Sequence, residues 1–530
     1  MLMLVNSHKW CLKVIAFITV LTAIVSAGAQ NTPRGYQSQE WSIAGENLSN
    51  LRNQPSERAI SPATVHRLAP KWVFKTGGDV SATPTVAGDA VYFPDWGGNL
   101  FAVNKETGRL LWSRKISDYD GSPGAVSRVS PAVDKDQLIV GDLLSSKQVH
   151  NGANVMAVDR QTGALRWITQ VETHPAAVIT GSPVLFDGVV YIGVSSIEEA
   201  LATDPTYPCC SFRGSLVALD ARTGVILWKT FDVPDNGGRT DQYSGGAIWQ
   251  PPAIDPTRGV LLVGTGNNYT VPKAVEACQL VQISRDCTAP DDFFDSTLAL
   301  DLKTGAVKWG KKLQTFDTWT VACLLPNGEK NPNCPVPSSP DFDFGGSGPN
   351  LIGNIVGFGQ KSGIYWALNP DNGNIVWSTP VGPGASLGGI EWGTASDGKR
   401  IYVAVANSDK LPYVLTPSGQ VITWGAWSAL DVATGKILWQ TADPIPGSID
   451  RGALSVANNV VYAGSNSGQM YALDESTGTV LWNFASGGTV IDGPSIVDST
   501  VYWGSGYAEL DGTGNNKVYA FSLAKTTAKN

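Results

Sequence analysis

The sequence predicts an all-β protein: an eight-bladed β-propeller closed by pairing its N- and C-terminal strands in one blade. Three observations predict it: a motif repeated seven times, a split eighth copy at the chain ends, and a composition rich in turn formers and Trp. The motif is Ala-x-(Asp or Asn)-x-x-(Thr or Asn)-Gly-x-x-x-Trp. It reads AVNKETGRLLW (102–112), AVDRQTGALRW (157–167), ALDARTGVILW (218–228), ALDLKTGAVKW (299–309), ALNPDNGNIVW (367–377), ALDVATGKILW (429–439) and ALDESTGTVLW (472–482). Its Asp or Asn can bond the backbone ahead, and its Gly suits the positive φ of a bulged hairpin, so each copy reads as two strands around a turn. The Trp is large enough to tie one repeat to the next. Further strand signals upstream, such as Val91-Tyr92-Phe93 and Val461-Tyr462-Ala463, raise the count to four strands per unit. Four strands repeating every 40 residues or more are the pattern of propeller blades.

The chain ends supply the eighth blade. Lys71-Trp72-Val73-Phe74 resembles a closing strand without its hairpin, and Lys517–Leu523 resembles the missing partner. Pairing them removes two sheet edges. Trp-to-Trp spacings of 40, 55, 61, 81, 68, 62 and 43 place long insertions between 168 and 376. Long loops on a rigid scaffold are where function concentrates. The domain-size prior of roughly 150 residues suggests three or four domains for 530 residues, but the repeat reduces 30–530 to one ring.

Composition narrows the function. A formal charge of −8 and a pI near 5.1 argue against a nucleic-acid partner, which requires a basic footprint. With four His, a multi-histidine metal site is disfavoured. Residues 1–29 read as a secretory signal: Lys9 and Lys13, an apolar stretch Val14–Val25, and Ala27-Gly28-Ala29 for cleavage. That stretch is short for a membrane span, so no stable membrane insertion is expected after cleavage, and the location is periplasmic or secreted. Six of the seven Cys lie beyond the leader, as suits an oxidising compartment. They fall as Cys209-Cys210, Cys278 with Cys287, and Cys323 with Cys334, although spacing alone does not set connectivity. No C-x-x-C-H haem motif occurs. Gly384–Gly388 matches GxSxG, but nothing around it suggests the strand-to-helix elbow that a serine hydrolase needs.

The repeat, the opening Trp41-Ser42-Ile43-Ala44-Gly45 through Asn50-Leu51-Arg52, and Lys71-Trp72 together resemble the alcohol dehydrogenases that depend on pyrroloquinoline quinone (PQQ). The resemblance spans roughly residues 40–523. YPCCSFRG (207–214) and GTGNNY (264–269) are similar to the polyvinyl alcohol dehydrogenase branch. It implies that Thr180 and Ser195 contact the quinone, that Glu198 binds the metal, and that Asn267 is a second ligand. Oxygen donors suit Ca²⁺ or a lanthanide. It further implies Trp249 as the platform under the quinone, with Arg128 and Lys361 for its carboxylates and reacting oxygen. Trp249 stands outside the repeat register, unlike the blade tryptophans.

Two departures from the family pattern matter. Ser122-Pro123 stand where many relatives have a vicinal Cys pair; here Cys209-Cys210 sit in the loop after Glu198, either as a vicinal disulfide over the cofactor or as a structural or unpaired Cys pair. Thr320 occupies the place of the usual catalytic Asp. A hydroxyl cannot replace that base, so Asp317, the nearest carboxylate, becomes the candidate base and a further candidate metal ligand. The resemblance implies alcohol oxidation, of a secondary or polymeric alcohol such as polyvinyl alcohol, with hydride passing to quinone C5. Electrons would then leave for an external acceptor such as cytochrome c. The alternatives are a non-catalytic propeller scaffold of the outer-membrane assembly type, or a PQQ-binding protein without turnover.

Overall fold

The structure, a computed structural model, describes residues 40–144, 152–326, 328–344 and 346–524. The leader predicted over 1–29 lies outside these residues, as does His150.

Eight antiparallel sheets form the ring. Blades 1 to 7 have inner-to-outer strands running over 85–115, 132–172, 184–231, 253–312, 350–380, 395–442 and 454–485. Blade 8 joins both ends of the chain: Ser495–Val497, Thr500–Ser505 and Lys517–Leu523 are completed by Leu68–Lys75, antiparallel to the last of these. The expected closure is thus observed. It pairs what would otherwise be two open sheet edges.

The repeated motif does two jobs. In blade 3 the Asp220 Oδ1 accepts from the Arg222 and Thr223 backbone N–H groups and from the Thr223 hydroxyl. Gly224 follows at φ +72° behind a β-bulge between Ala218 and Leu219. The same glycine is needed for packing, because a Cβ there would come within 2.5 Å of the Trp167 ring of the preceding blade. Trp167 also donates its indole N–H to the Ala221 carbonyl across the blade boundary. Trp72, Trp112, Trp228, Trp309, Trp377 and Trp439 each make the same hydrogen bond to the next blade, and Trp482 makes it to Leu68 of blade 8. Eight tryptophans therefore stitch the ring shut.

The insertions carry short helices, Glu198–Leu201, Lys273–Val281 and the 3₁₀ turn Val321–Leu324, in segments that connect blade strands. Two disulfides pin them, Cys278–Cys287 and Cys323–Cys334, and Cys209 is bonded to Cys210. Among the described residues no helix is long and apolar enough to cross a membrane.

Candidate active site

A cavity of about 230 Å³ opens where segments from several blades converge. Its floor and sides are aromatic. Trp249, in the irregular segment between blades 3 and 4, meets Trp392 edge-on, with ring centroids 5.2 Å apart at 71°. The contact is close, since a Cβ on Gly346 would lie 2.7 Å from Trp249. Arg128 lays its guanidinium 4.4 Å from the Trp392 centroid and 5.6 Å from that of Tyr507, a cation held over aromatic faces.

Against this floor the wall is acidic around one buried amine. Lys361 Nζ lies 2.7 Å from Asp341 Oδ2, 3.2 Å from Asp343 Oδ1 and 5.4 Å from the Trp249 centroid. Trp249 Nε1–H donates to Asp343 Oδ2 at 3.1 Å. Burial works against the charge on Lys361, but Asp341, Asp343, Glu199 and Glu391 outweigh it and hold the amine well above its ordinary pKa. Burial raises Asp341 well above the carboxylate range despite the neighbouring Lys361. Glu199 also faces this cavity, and burial lifts its carboxyl to about 7, with Lys361 pulling the other way.

Of the residues nominated by sequence, Arg128, Thr180, Ser195, Trp249, Asn267 and Lys361 all line the cavity. The Asn267 amide nitrogen donates to the Asn268 and Trp319 carbonyls, which fixes the orientation of its side-chain oxygen. Ser195 sits at the end of the long strand Val189–Ser196, paired with Val178.

The other nominations lie elsewhere. Glu198 is fully buried away from the cavity. Its carboxylate accepts from the Ser211 and Phe212 backbone N–H groups at 2.9 and 2.8 Å and from the Tyr207 hydroxyl, with His174 Nε2 at 3.6 Å. These donors draw it toward the disulfide loop, and one position along the helix Glu199 lines the cavity instead. Asp317 does not line the cavity either. Its oxygens accept from Ser339 Oγ and from the Phe342 N–H, both at 2.8 Å, so it braces from behind the segment that presents Asp341 and Asp343. Burial raises its pKa to about 6. Thr320 donates its hydroxyl to the Asn333 carbonyl and ties down the Cys323–Cys334 loop. Cys209 and Cys210 do not line this cavity; Cys209 borders a second one.

Sequence reasoning missed Asp341, Asp343, Glu199 and Glu391. A signal existed for the first two, because acids two apart in an extended segment project to the same side. Asp341-Phe342-Asp343 is such a pair.

Comparison with known proteins agrees with the fold. A family profile described as "Outer membrane protein assembly factor BamB" matches residues 69–206 and 425–529. A polyvinylalcohol dehydrogenase from Sphingopyxis sp. (strain 113P3) is 32% identical over 94% of this chain and 77% of its own length. Another, from Pseudomonas sp, is 31% identical over 91% and 77%. The solved quinohemoprotein alcohol dehydrogenase from Comamonas testosteroni superposes with a TM-score of 0.66 at 19% identity, covering 92% of this chain and 81% of that one, which is a likeness of fold. With a ring of eight tryptophan-stitched blades and near full-length identity of this order, the chain belongs to the quinoprotein alcohol dehydrogenases, in the polyvinyl alcohol dehydrogenase branch, and is an oxidoreductase.

Proposed function

We propose that the chain binds PQQ with Ca²⁺ or a lanthanide in this cavity and oxidises a secondary alcohol, including the carbinols of polyvinyl alcohol. One observation carries the reading. Thr180 Oγ1 and Trp392 Nε1, donors on two residues that line the cavity, are buried without a hydrogen-bond partner, beside Arg128 and an aromatic floor. Unpaired buried polar atoms are costly, and a flat polyanionic ligand that accepts from the donors and covers the rings answers that cost. Thr180, Ser195, Arg128 and Trp392 would hold its carboxylates and carbonyls, with Trp249 beneath the ring system. Glu199 and the Asn267 side-chain oxygen are hard donors suited to the cation. The described residues contain no ready-made group of three His, Cys, Asp or Glu ligands. When bound, the quinone supplies a two-electron acceptor and the metal a Lewis acid.

The chain's own residues do the remaining work. Asp341 Oδ1 has no hydrogen-bond partner; we assign the proton of the alcohol hydroxyl to this carboxyl in its ionised form, which the Lys361 ammonium favours against the burial that raises its pKa. Lys361 holds Oδ2 of the same carboxylate, so the accepting oxygen is fixed in direction. Asp343 is held by both Trp249 and Lys361, which locks the floor to the acidic wall. Leu144, Ile197, Val321, Leu387 and Leu510 line the cavity too, an apolar surround that suits a carbinol flanked by carbon on both sides. The predicted leader supports a periplasmic or secreted location, and an external acceptor such as cytochrome c would take the electrons.

The test is dye reduction by purified protein supplied with PQQ and Ca²⁺, comparing primary alcohols, secondary alcohols and polyvinyl alcohol. The reading expects secondary and polymeric alcohols to be preferred. Quinone binding without turnover of any alcohol would reject it.

A further inference from the structure

A second cavity, of about 320 Å³, lies across Tyr269 from the first, and that buried side chain forms a wall of both. The same stretches of chain build the two. The helix Glu198–Leu201 gives Glu199 and Ala200 to the first cavity and leads into the loop that brings Cys209 to the second. Val321 lines the first, and the chain after it supplies Lys330 through Val336 to the second.

Its walls are fastened on every side. Cys209 is bonded to Cys210, Cys334 to Cys323, and the helix carrying Lys273 and Glu276 is tied through Cys278 to Cys287. Asn333 clamps the facing loop by donating its amide to the Ala202, Asp204 and Tyr207 carbonyls at 3.3, 2.9 and 3.1 Å. All six cysteines of the described chain therefore brace the surroundings of one cavity. Its charges cancel: two acids, Asp241 and Glu276, against two cations, Lys273 and Lys330. Lys273 is paired with Glu276, and Asp241 with Arg239. A braced cavity lined by hydrogen-bonding groups, with acids and cations in equal number among its lining residues, suits an uncharged hydroxylated ligand.

We propose that this second cavity binds the flanking hydroxylated chain of a polymeric alcohol while one carbinol occupies the first. The inference rests on the alcohol-oxidising reading of the first cavity and adds to it a preference for long substrates.

The test uses the full protein with PQQ and Ca²⁺ and compares 2,4-pentanediol with a polyvinyl alcohol oligomer. Thr240→Trp combined with Lys273→Trp fills the second cavity from two exposed rim positions. The expected result is a loss of about tenfold in kcat/KM for the oligomer, carried by KM, equivalent to ~1.4 kcal/mol of binding. Both kcat and KM for 2,4-pentanediol and the thermal midpoint should stay unchanged. A dye-labelled oligomer, bound to protein without added quinone, should be weakened to the same extent. Equal changes for both substrates, or an oligomer bound as tightly by the variant as by the parent, would overturn the subsite. If neither alcohol is oxidised but the labelled oligomer binds and the variant releases it, the subsite stands and the oxidation reading falls.

Discussion

The indole N–H of Trp249 donates to Asp343 at 3.1 Å, so the aromatic floor of the cavity and its acidic wall are held by one hydrogen bond. Trp249 thereby differs in kind from the blade tryptophans, whose N–H groups go to backbone carbonyls of the next blade.

That difference is measurable. Trp439→Ala removes a buried wedge and its bond to the Glu475 carbonyl, and should destabilise the ring by about 3–5 kcal/mol. Trp249→Ala should cost less stability but abolish quinone retention. Denaturant melts and a PQQ-binding assay on both variants check the contrast.

Adjacent glutamates should separate in the same way. Glu198→Ala strips the acceptor from two backbone N–H groups and the Tyr207 hydroxyl, and should lower stability by roughly 1–3 kcal/mol per buried donor left unpaired. Glu199→Ala should leave the thermal midpoint intact and weaken metal-dependent activity at least about tenfold, a change of ~1.4 kcal/mol. Metal titrations with parallel melts decide between them. If Glu198→Ala alone removes metal dependence without loss of stability, the assignment to Glu199 is wrong.

Restoring the family's acid at Thr320 should not help. Thr320 is fully buried with its hydroxyl on the Asn333 carbonyl. Thr320→Asp would set a buried carboxylate against a carbonyl oxygen, so lower stability and no gain in kcat are expected. Higher turnover in this variant would restore position 320 as the base.

Stability should also depend on pH through Glu46. Burial raises its carboxyl from 4.5 to about 8, with an opposing hydrogen bond from Asn47. Between these values the unfolded chain has released the proton while the folded chain keeps it. Stability is therefore full below about pH 4.5 for this group and declines as pH rises to 8, by a few kcal/mol at ~1.36 per unit. Glu46→Gln should flatten that decline, raising the thermal midpoint at pH 8–9 relative to the parent but not at pH 5.

The ring was legible because its signals are local. Asp220, Gly224 and Trp167 show the reason: turn, bulge and wedge all fall within a fixed spacing that repeats. Thr180, Ser195, Asn267, Trp249 and Lys361 could be nominated one by one, since each lies in a motif of the family. What sequence could not resolve was side-chain direction. Glu198 and Glu199 are neighbours on one short helix, and only the backbone donors of Ser211 and Phe212, thirteen and fourteen positions on, decide which turns inward. The hydrogen bonds of Asp317 were illegible for a related reason. Its partners Ser339 and Phe342 come from beyond a disulfide-closed loop whose path no periodicity describes.

The most direct measurement is PQQ retention by the purified mature protein, by equilibrium dialysis with Ca²⁺, with a lanthanide and with chelator, for the parent and for Trp249→Ala. Metal-dependent retention at one quinone per chain is expected of the parent and none of the variant. A parent protein that retains no quinone under any metal condition would contradict this expectation.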